Sequence, residues 1–183
     1  MGSWIGGGIG FLVLLYLVWL YNSLVTLRNR VRNGWSQIDV QLRRRHELIP
    51  NLVESVKGYM SHERGVIDAI AQARQLARDA GGNVEARAAA EGALGRSLRT
   101  FIVQAEAIPE LHASETMLAF QEELGSTENR IAFARQHYND SVMEYNTSIA
   151  KVPSNVLAGM FGFTPEVLFA ADDLDGQPVA VRF

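Results

Sequence analysis

The chain passes from Met1 to Leu27 without one Asp, Glu, Lys, Arg or His and then places Arg28, Arg30 and Arg32 within five positions. That edge constrains the fold more than any other feature of the sequence. Residues 4 to 27, WIGGGIGFLVLLYLVWLYNSLVTL, exceed the roughly 20 apolar residues that a helix needs to cross a hydrocarbon core of about 30 Å. Trp4 stands near one end and Tyr16, Trp19 and Tyr21 toward the other, as amphipathic rings favour the headgroup level. A cleaved signal peptide would need a basic region ahead of the apolar run and a small-residue cleavage site after it. Nothing basic precedes Phe11, and Tyr21 to Val25 offers no such site. Gly6 stands where N-myristoylation requires Ser or Thr. The sequence therefore predicts a retained transmembrane helix over residues 1–27.

Basic residues beside a span stay on the cytoplasmic side. Arg28, Arg30 and Arg32 are accordingly expected to orient the span and to face lipid headgroups, leaving a short N-terminus outside and the C-terminal body cytoplasmic. Residues 28–64 carry eight Lys/Arg against four Asp/Glu, whereas residues 65–183 carry nine against sixteen. Only the segment next to the bilayer is basic, where anionic lipid attracts such side chains. A second cluster, Arg43, Arg44 and Arg45, reads as a solvated helix face, the alternative being that it too touches headgroups. The acidic balance of the remainder excludes general nucleic-acid binding. With no cysteine, disulfides, thiolate catalysis and cysteine-ligated metal are excluded too.

Stepping alternately three and four from Trp35 meets Ile38, Leu42, Arg45, Ile49, Leu52, Val56, Tyr59, Glu63, Val66, Ile70, Ala73 and Ala77. All but Arg45 and Glu63 are apolar, and a 3.5-residue period held this long predicts one long helix packed in coiled-coil fashion. Pro50 predicts a kink within it near residues 46–50. A left-handed glycine cap at Gly81 or Gly82 should end it. A second helix is expected from an Asn83 cap to about Ala107, with Leu94, Leu98, Phe101, Ala105 and Ile108 as its stripe and Pro109 closing it. A third should run from Ser114 to about Lys151, with Ile131, Ala134, Tyr138, Val142, Tyr145, Ile149 and Val152 facing inward.

No stretch alternates with period two long enough to make a strand. The expected fold is all-α: a transmembrane helix followed by an antiparallel bundle of three main helices over residues 28–152. An apolar segment of short helices at 154–161 and 164–170 follows, the second capped by Thr164 with Pro165 at its first position; it is expected to tuck against the bundle, the alternative being an exposed apolar patch that docks a neighbouring subunit, a partner or the bilayer surface. Residues 171–183 read as a loose tail.

Chemistry finds little support. His46-Glu47 and His62-Glu63 open like a zinc-protease motif, but Pro50 and Val66 stand where its second histidine belongs. No histidine has Glu three positions before it, as di-iron bundles require. The glycine run 6–8 and 10 lacks the Lys and Ser/Thr of a phosphate loop. The sequence predicts no enzyme, no cofactor and no metal.

Provision for helix contact is more evident. Gly2, Gly6 and Gly10 recur every fourth residue, a spacing that lets spanning helices approach closely. A stripe from Trp35 to Ala77 would extend about 65 Å at 1.5 Å per residue, farther than the second helix can cover. Trp35, Ile38 and Leu42 are therefore expected, with Gly6 and Gly10, at a contact between subunits of a homo-oligomer. Arg45 and Glu63 are expected to be paired within the chain or exposed, the alternative being that they set register between subunits.

The stretches YNSLVTLRNRVRNGWSQIDVQLRRRHELIPNLVESVKGY, HERGVIDAIAQAR, TENRIAFARQHYNDSVMEYN and PSNVLAGMFGF resemble the LemA family of bacterial membrane proteins, from Tyr21 to about Phe169. The intervening AEAIPELHASETMLAFQEEL fits less closely. The resemblance implies a single-pass protein of the bacterial inner (plasma) membrane with a cytoplasmic helical bundle, in a family not securely tied to catalysis. It points to a scaffold that self-associates and presents its bundle to membrane proteins or anionic lipid. The alternative it implies is an adaptor or regulatory subunit of a membrane protease.

Overall fold

A single helix, α1, runs from Gly2 to Val56, so the apolar window and the first element of the bundle belong to one helix. The computed structural model describes residues 2–56, 58–60 and 64–170; the expectations for His62, Glu63 and the 171–183 tail lie outside these. The other elements are α2 (Arg64–Asp79), α3 (Val84–Glu106), α4 (Pro109–His112), α5 (Glu115–Ala150) and α6 (Ser154–Phe161). Every described element is helical, as the sequence predicts.

The long stripe does not form one helix. α1 stops at Val56, and the amides of Tyr59 and Met60 both bond the Val56 carbonyl at 3.0 Å. Gly58 lies in this turn, where a residue of low helix propensity costs least. The break lets the two halves of the stripe share one core. Ile49, Leu52 and Val56 from α1 meet Ile70, Ala73 and Ala77 from α2 in the same apolar cluster. The 65 Å seam, and the shortage of cover inferred from it, therefore do not exist.

Local signals elsewhere hold. Gly81 takes the left-handed conformation, φ 63°, at the end of α2, and the Asn83 side chain accepts the Ala86 amide at 2.9 Å as the α3 cap. Pro109 opens the short α4 in place of continuing α3. Leu94, Leu98, Phe101 and Ala105 on α3 join Leu111, Met117, Phe120 and Leu124 in the core. Along α5, Ile131, Ala134, Tyr138, Val142, Tyr145 and Ile149 are all buried, while Val152, past the helix end, is exposed.

Pro50 lies inside α1 and has no amide to donate to the carbonyl of His46, four residues earlier. Arg74 of α2 supplies the missing donor, its Nε bonding the His46 oxygen at 3.0 Å.

Two compact units emerge, one formed by Met1–Gln37 with Arg135–Leu168, the other built around Ile38–Ala134. In the first, α1 and α5 run antiparallel, since Arg30 pairs with Glu144 and Trp35 packs on Tyr138 with ring centroids 5.6 Å apart. They approach closely at Gly34, where a Cβ would lie 3.1 Å from Tyr138 Cα. In the second unit α3 runs in the same direction as α1, because Asp39 pairs with Arg87 and Arg45 with Glu91. This parallel pairing follows from the chain reversal after Val56.

Residues 163–170 carry no regular secondary structure, so the helix expected at 164–170 is absent. Long-range partners on α5 take precedence over the Thr164-Pro165 start signal. Tyr145 Oη donates to the Thr164 carbonyl at 3.0 Å and Tyr138 Oη to the Val167 carbonyl at 2.7 Å. Asn146 both donates to the Glu166 carbonyl and accepts its amide. The segment is a strap, four of whose backbone groups are satisfied by α5 side chains instead of by a helix of its own.

Candidate functional site

Two regions carry groups that a simple bundle does not need. The first lies in the unit formed by Met1–Gln37 and Arg135–Leu168. Every residue from Trp4 to Trp19 is exposed, including Ile5, Ile9, Phe11, Leu12, Leu14 and Val18. Among the described residues this is the one helix long and apolar enough to cross a membrane. A core helix of similar composition would be covered by its own chain, and this one is not. Burial begins at Leu20 and continues with Leu24, Leu27 and Val31, at helical spacing. At that boundary Tyr21 packs edge-on to Phe161 at 4.9 Å and to Phe163 at 5.8 Å.

The three arginines separate in role. The Arg28 guanidinium lies 5.8 Å from the centroid of the Phe163 ring, a cation–π contact that turns it toward its own chain. Arg30 pairs with Glu144 at 3.3 Å, both more than half exposed, an arrangement worth at most about 1 kcal/mol. Arg32 is exposed. Burial raises the Tyr138 hydroxyl above its usual range, with Glu166 adding to the shift. Tyr138 thus stays a neutral donor to the strap.

The second region is a charged seam inside the unit built around Ile38–Ala134. Arg45 and Glu91 are each 3% exposed, and Arg45 Nη2 pairs with Glu91 Oε2 while also donating to the Glu91 backbone carbonyl at 3.0 Å. Arg45 Nη1 meets Glu128 at 2.8 Å, and His46 Nε2 lies 3.0 Å from Glu91 Oε1. Arg45 is therefore paired within the chain, and any reading in which it sets register between subunits falls away. The expectation that Arg43, Arg44 and Arg45 form one solvated face fails for Arg45, which is buried. Arg44 is half-buried with its Nε 2.7 Å from Glu123, and only Arg43, paired with Asp39, is largely exposed.

Burial opposes charge on both central partners, yet the pair overcomes it. Glu128 and Glu91 hold the Arg45 pKa above its ordinary value. Against the same penalty, the His46 hydrogen bond and the Arg45 charge hold the Glu91 carboxyl below its ordinary 4.5. A carboxyl depressed on folding stabilises the protein above its unfolded pKa, and that stability is lost as pH falls through the folded value. Thermal stability of the purified chain should accordingly hold from neutral pH down to about 4.5 and decline below it. Glu91→Gln should lower stability at neutral pH and leave a shallower acid limb; an acid limb identical to the parent's would show that Glu91 does not contribute.

The expected subunit contact is only partly accessible. Ile38 and Leu42 are 0% and 1% exposed; they are buried within the chain itself and present nothing to a second copy. Only the length of a continuous seam argues for an interface there, and the break after Val56 removes that seam. Trp35 is half-buried against Tyr138. Gly6 and Gly10 are open, with no atom of the chain within 4 Å of where a Cβ would stand. Of the five positions, the two glycines remain fully available to another helix. Among the described residues no group of three or more His, Asp or Glu side chains could hold a metal ion.

The strap donors Tyr138, Tyr145 and Asn146 were missed as a set. The first two belonged to the α5 stripe, and their hydroxyls gave no sign of their acceptors. Glu91 was missed because its partner on α1 depends on the parallel packing of α3.

The LemA family model matches residues 34–183. Magnetosome protein MamQ 2 of Paramagnetospirillum magneticum is 25% identical over 188 residues, covering 89% of this chain and 69% of the relative. Magnetosome protein MamQ of Magnetospirillum gryphiswaldense is 25% identical over 172 residues, covering 80% and 63%. Protein LemA of Metamycoplasma hominis is 25% identical over 158 residues, covering 84% and 70%.

Proposed function

Since the chain belongs to the LemA family, we propose that it acts as a membrane-anchored, non-enzymatic helical scaffold. α1 supplies the membrane span and the helices beyond it offer a bundle to other membrane proteins or to anionic lipid. The observation that carries this reading is the uncovered apolar rod from Trp4 to Trp19. At about 25 cal/mol per Å² of apolar surface, leaving so much of it in water is unfavourable, and a bilayer removes the cost. Arg28, Arg30 and Arg32, which follow the span, support a bundle on the cytoplasmic side. Self-association runs through the open Gly6 and Gly10 face, where helix backbones approach closely.

The test is extraction of the full chain in detergent, followed by mass measurement and identification of co-purifying proteins. A homo-oligomer that Gly6→Leu with Gly10→Leu dissociates supports the scaffold. A monomer bound stoichiometrically to a membrane protease overturns self-association in favour of an adaptor.

A further inference from the structure

We propose that α6 is a second membrane contact, a short interfacial helix whose exposed apolar face lies in the headgroup and acyl boundary beside the span. The inference rests on the reading of α1 as a membrane anchor. α6 buries Ser154, Leu157 and Ala158 against the chain and leaves Val156, Met160 and Phe161 exposed, Met160 at 73%. Val156 and Met160 are four apart and so share one helix face. A soluble helix of eight residues would normally turn polar groups outward, yet residues 152–165 contain no ionisable side chain.

What covers this face is indicated by its neighbours. Phe161 packs on Tyr21 at 4.9 Å, and Tyr21 stands where the uncovered part of α1 gives way to the buried part. Arg28 lies two turns farther along α1, about 10 Å beyond Tyr21, with its guanidinium over Phe163. The contacts thus hold the end of α6 at the level of the aromatic end of the span, on its lipid side of the first arginine. Aromatic and apolar groups at that level, with basic groups just above, are the composition of an interfacial helix. The strap bonds from Tyr138, Tyr145 and Asn146 keep the segment that follows α6 on α5, so α6 is held in place before any lipid is met. The face is continuous with the anchor's own lipid surface, which favours bilayer over a protein occupant.

The chain has no cysteine, so single labels report cleanly. Met160→Cys, Ile9→Cys and Val103→Cys, each in the full chain and all at exposed positions, are labelled with bimane. They are reconstituted into vesicles of phosphatidylcholine and phosphatidylglycerol containing lipid brominated at shallow or deep acyl carbons. Ile9→Cys should lose most of its emission to bromine, Met160→Cys should lose most of it to shallow bromine and less to deep, and Val103→Cys should lose none. Unquenched Met160→Cys overturns the inference. If Ile9→Cys is quenched in that case, the anchor stands and only the α6 contact fails; if neither is quenched, the anchor reading fails as well. Unquenched Met160→Cys that forms disulfide-linked dimers on oxidation before labelling would assign the face to a second copy instead.

Discussion

Glu91→Ala should destabilise the protein by about 3–5 kcal/mol, because it leaves Arg45 charged in a site that is 3% exposed. The His46 ring loses its carboxylate partner in the same step. Glu128 cannot compensate, since it already occupies the other guanidinium nitrogen and is itself partly solvated. The measurement is urea unfolding of the detergent-solubilised full chain followed by circular dichroism at neutral pH. A further comparison separates the cost of a broken pair from the worth of an intact one. Arg45→Met combined with Glu91→Leu replaces the charges by apolar side chains, and such exchanges are often neutral or stabilising. The double variant should recover most of the loss. Equal losses in the single and double variants would mean that the ion pair itself, and not the avoidance of a lone buried charge, maintains the fold.

Ile49→Asp should have an effect at least as large. Ile49 is 2% exposed in the cluster formed with Leu52, Val56, Ile70 and Phe101. Truncating it forfeits about 2–5 kcal/mol of packing, and the new carboxyl must either ionise in an apolar site or hold a proton at neutral pH. The combined cost approaches the whole stability of a typical domain, about 5–15 kcal/mol. Cooperative unfolding should vanish. Val103→Asp on the exposed face of α3 should stay within about 0.5 kcal/mol of the parent. Cooperative melting retained by Ile49→Asp would show that the cluster is not the core.

What could be read from the sequence divides along a physical line. The Asn83 cap, the left-handed Gly81, the stripes of α3 and α5 and the apolar window of α1 depend on neighbours within a turn or two, and these were legible. The break after Val56 was not, because Tyr59, Glu63 and Val66 keep the heptad phase through it and Gly58 is a weak interruption. Period reports which face is apolar; it does not report whether the chain continues or doubles back. The misplacement of Ile38 and Leu42 at a subunit contact follows from that one error. The strap shows the same limit from the other side. Thr164 and Pro165 form a sound local start signal, but three α5 side chains offer the backbone better partners. Arg45 stood out as a charge on an apolar stripe, whereas its partners Glu91 and Glu128 are set by packing directions that no local pattern encodes.

The arrangement at Pro50 has a consequence for how α2 finds its place. A regular helix consumes its own carbonyls, so to a neighbour it is a smooth apolar rail along which small side chains such as Ala73 and Ala77 could slip by a turn at little cost. Pro50 leaves one oxygen of that rail unclaimed, at His46, and Arg74 carries the matching donor. A slip of one turn, about 5.4 Å, would carry the guanidinium out of reach of the vacancy that the proline creates. The residue that weakens α1 therefore serves as an index mark. An alanine in its place would make a better helix and a poorer ruler.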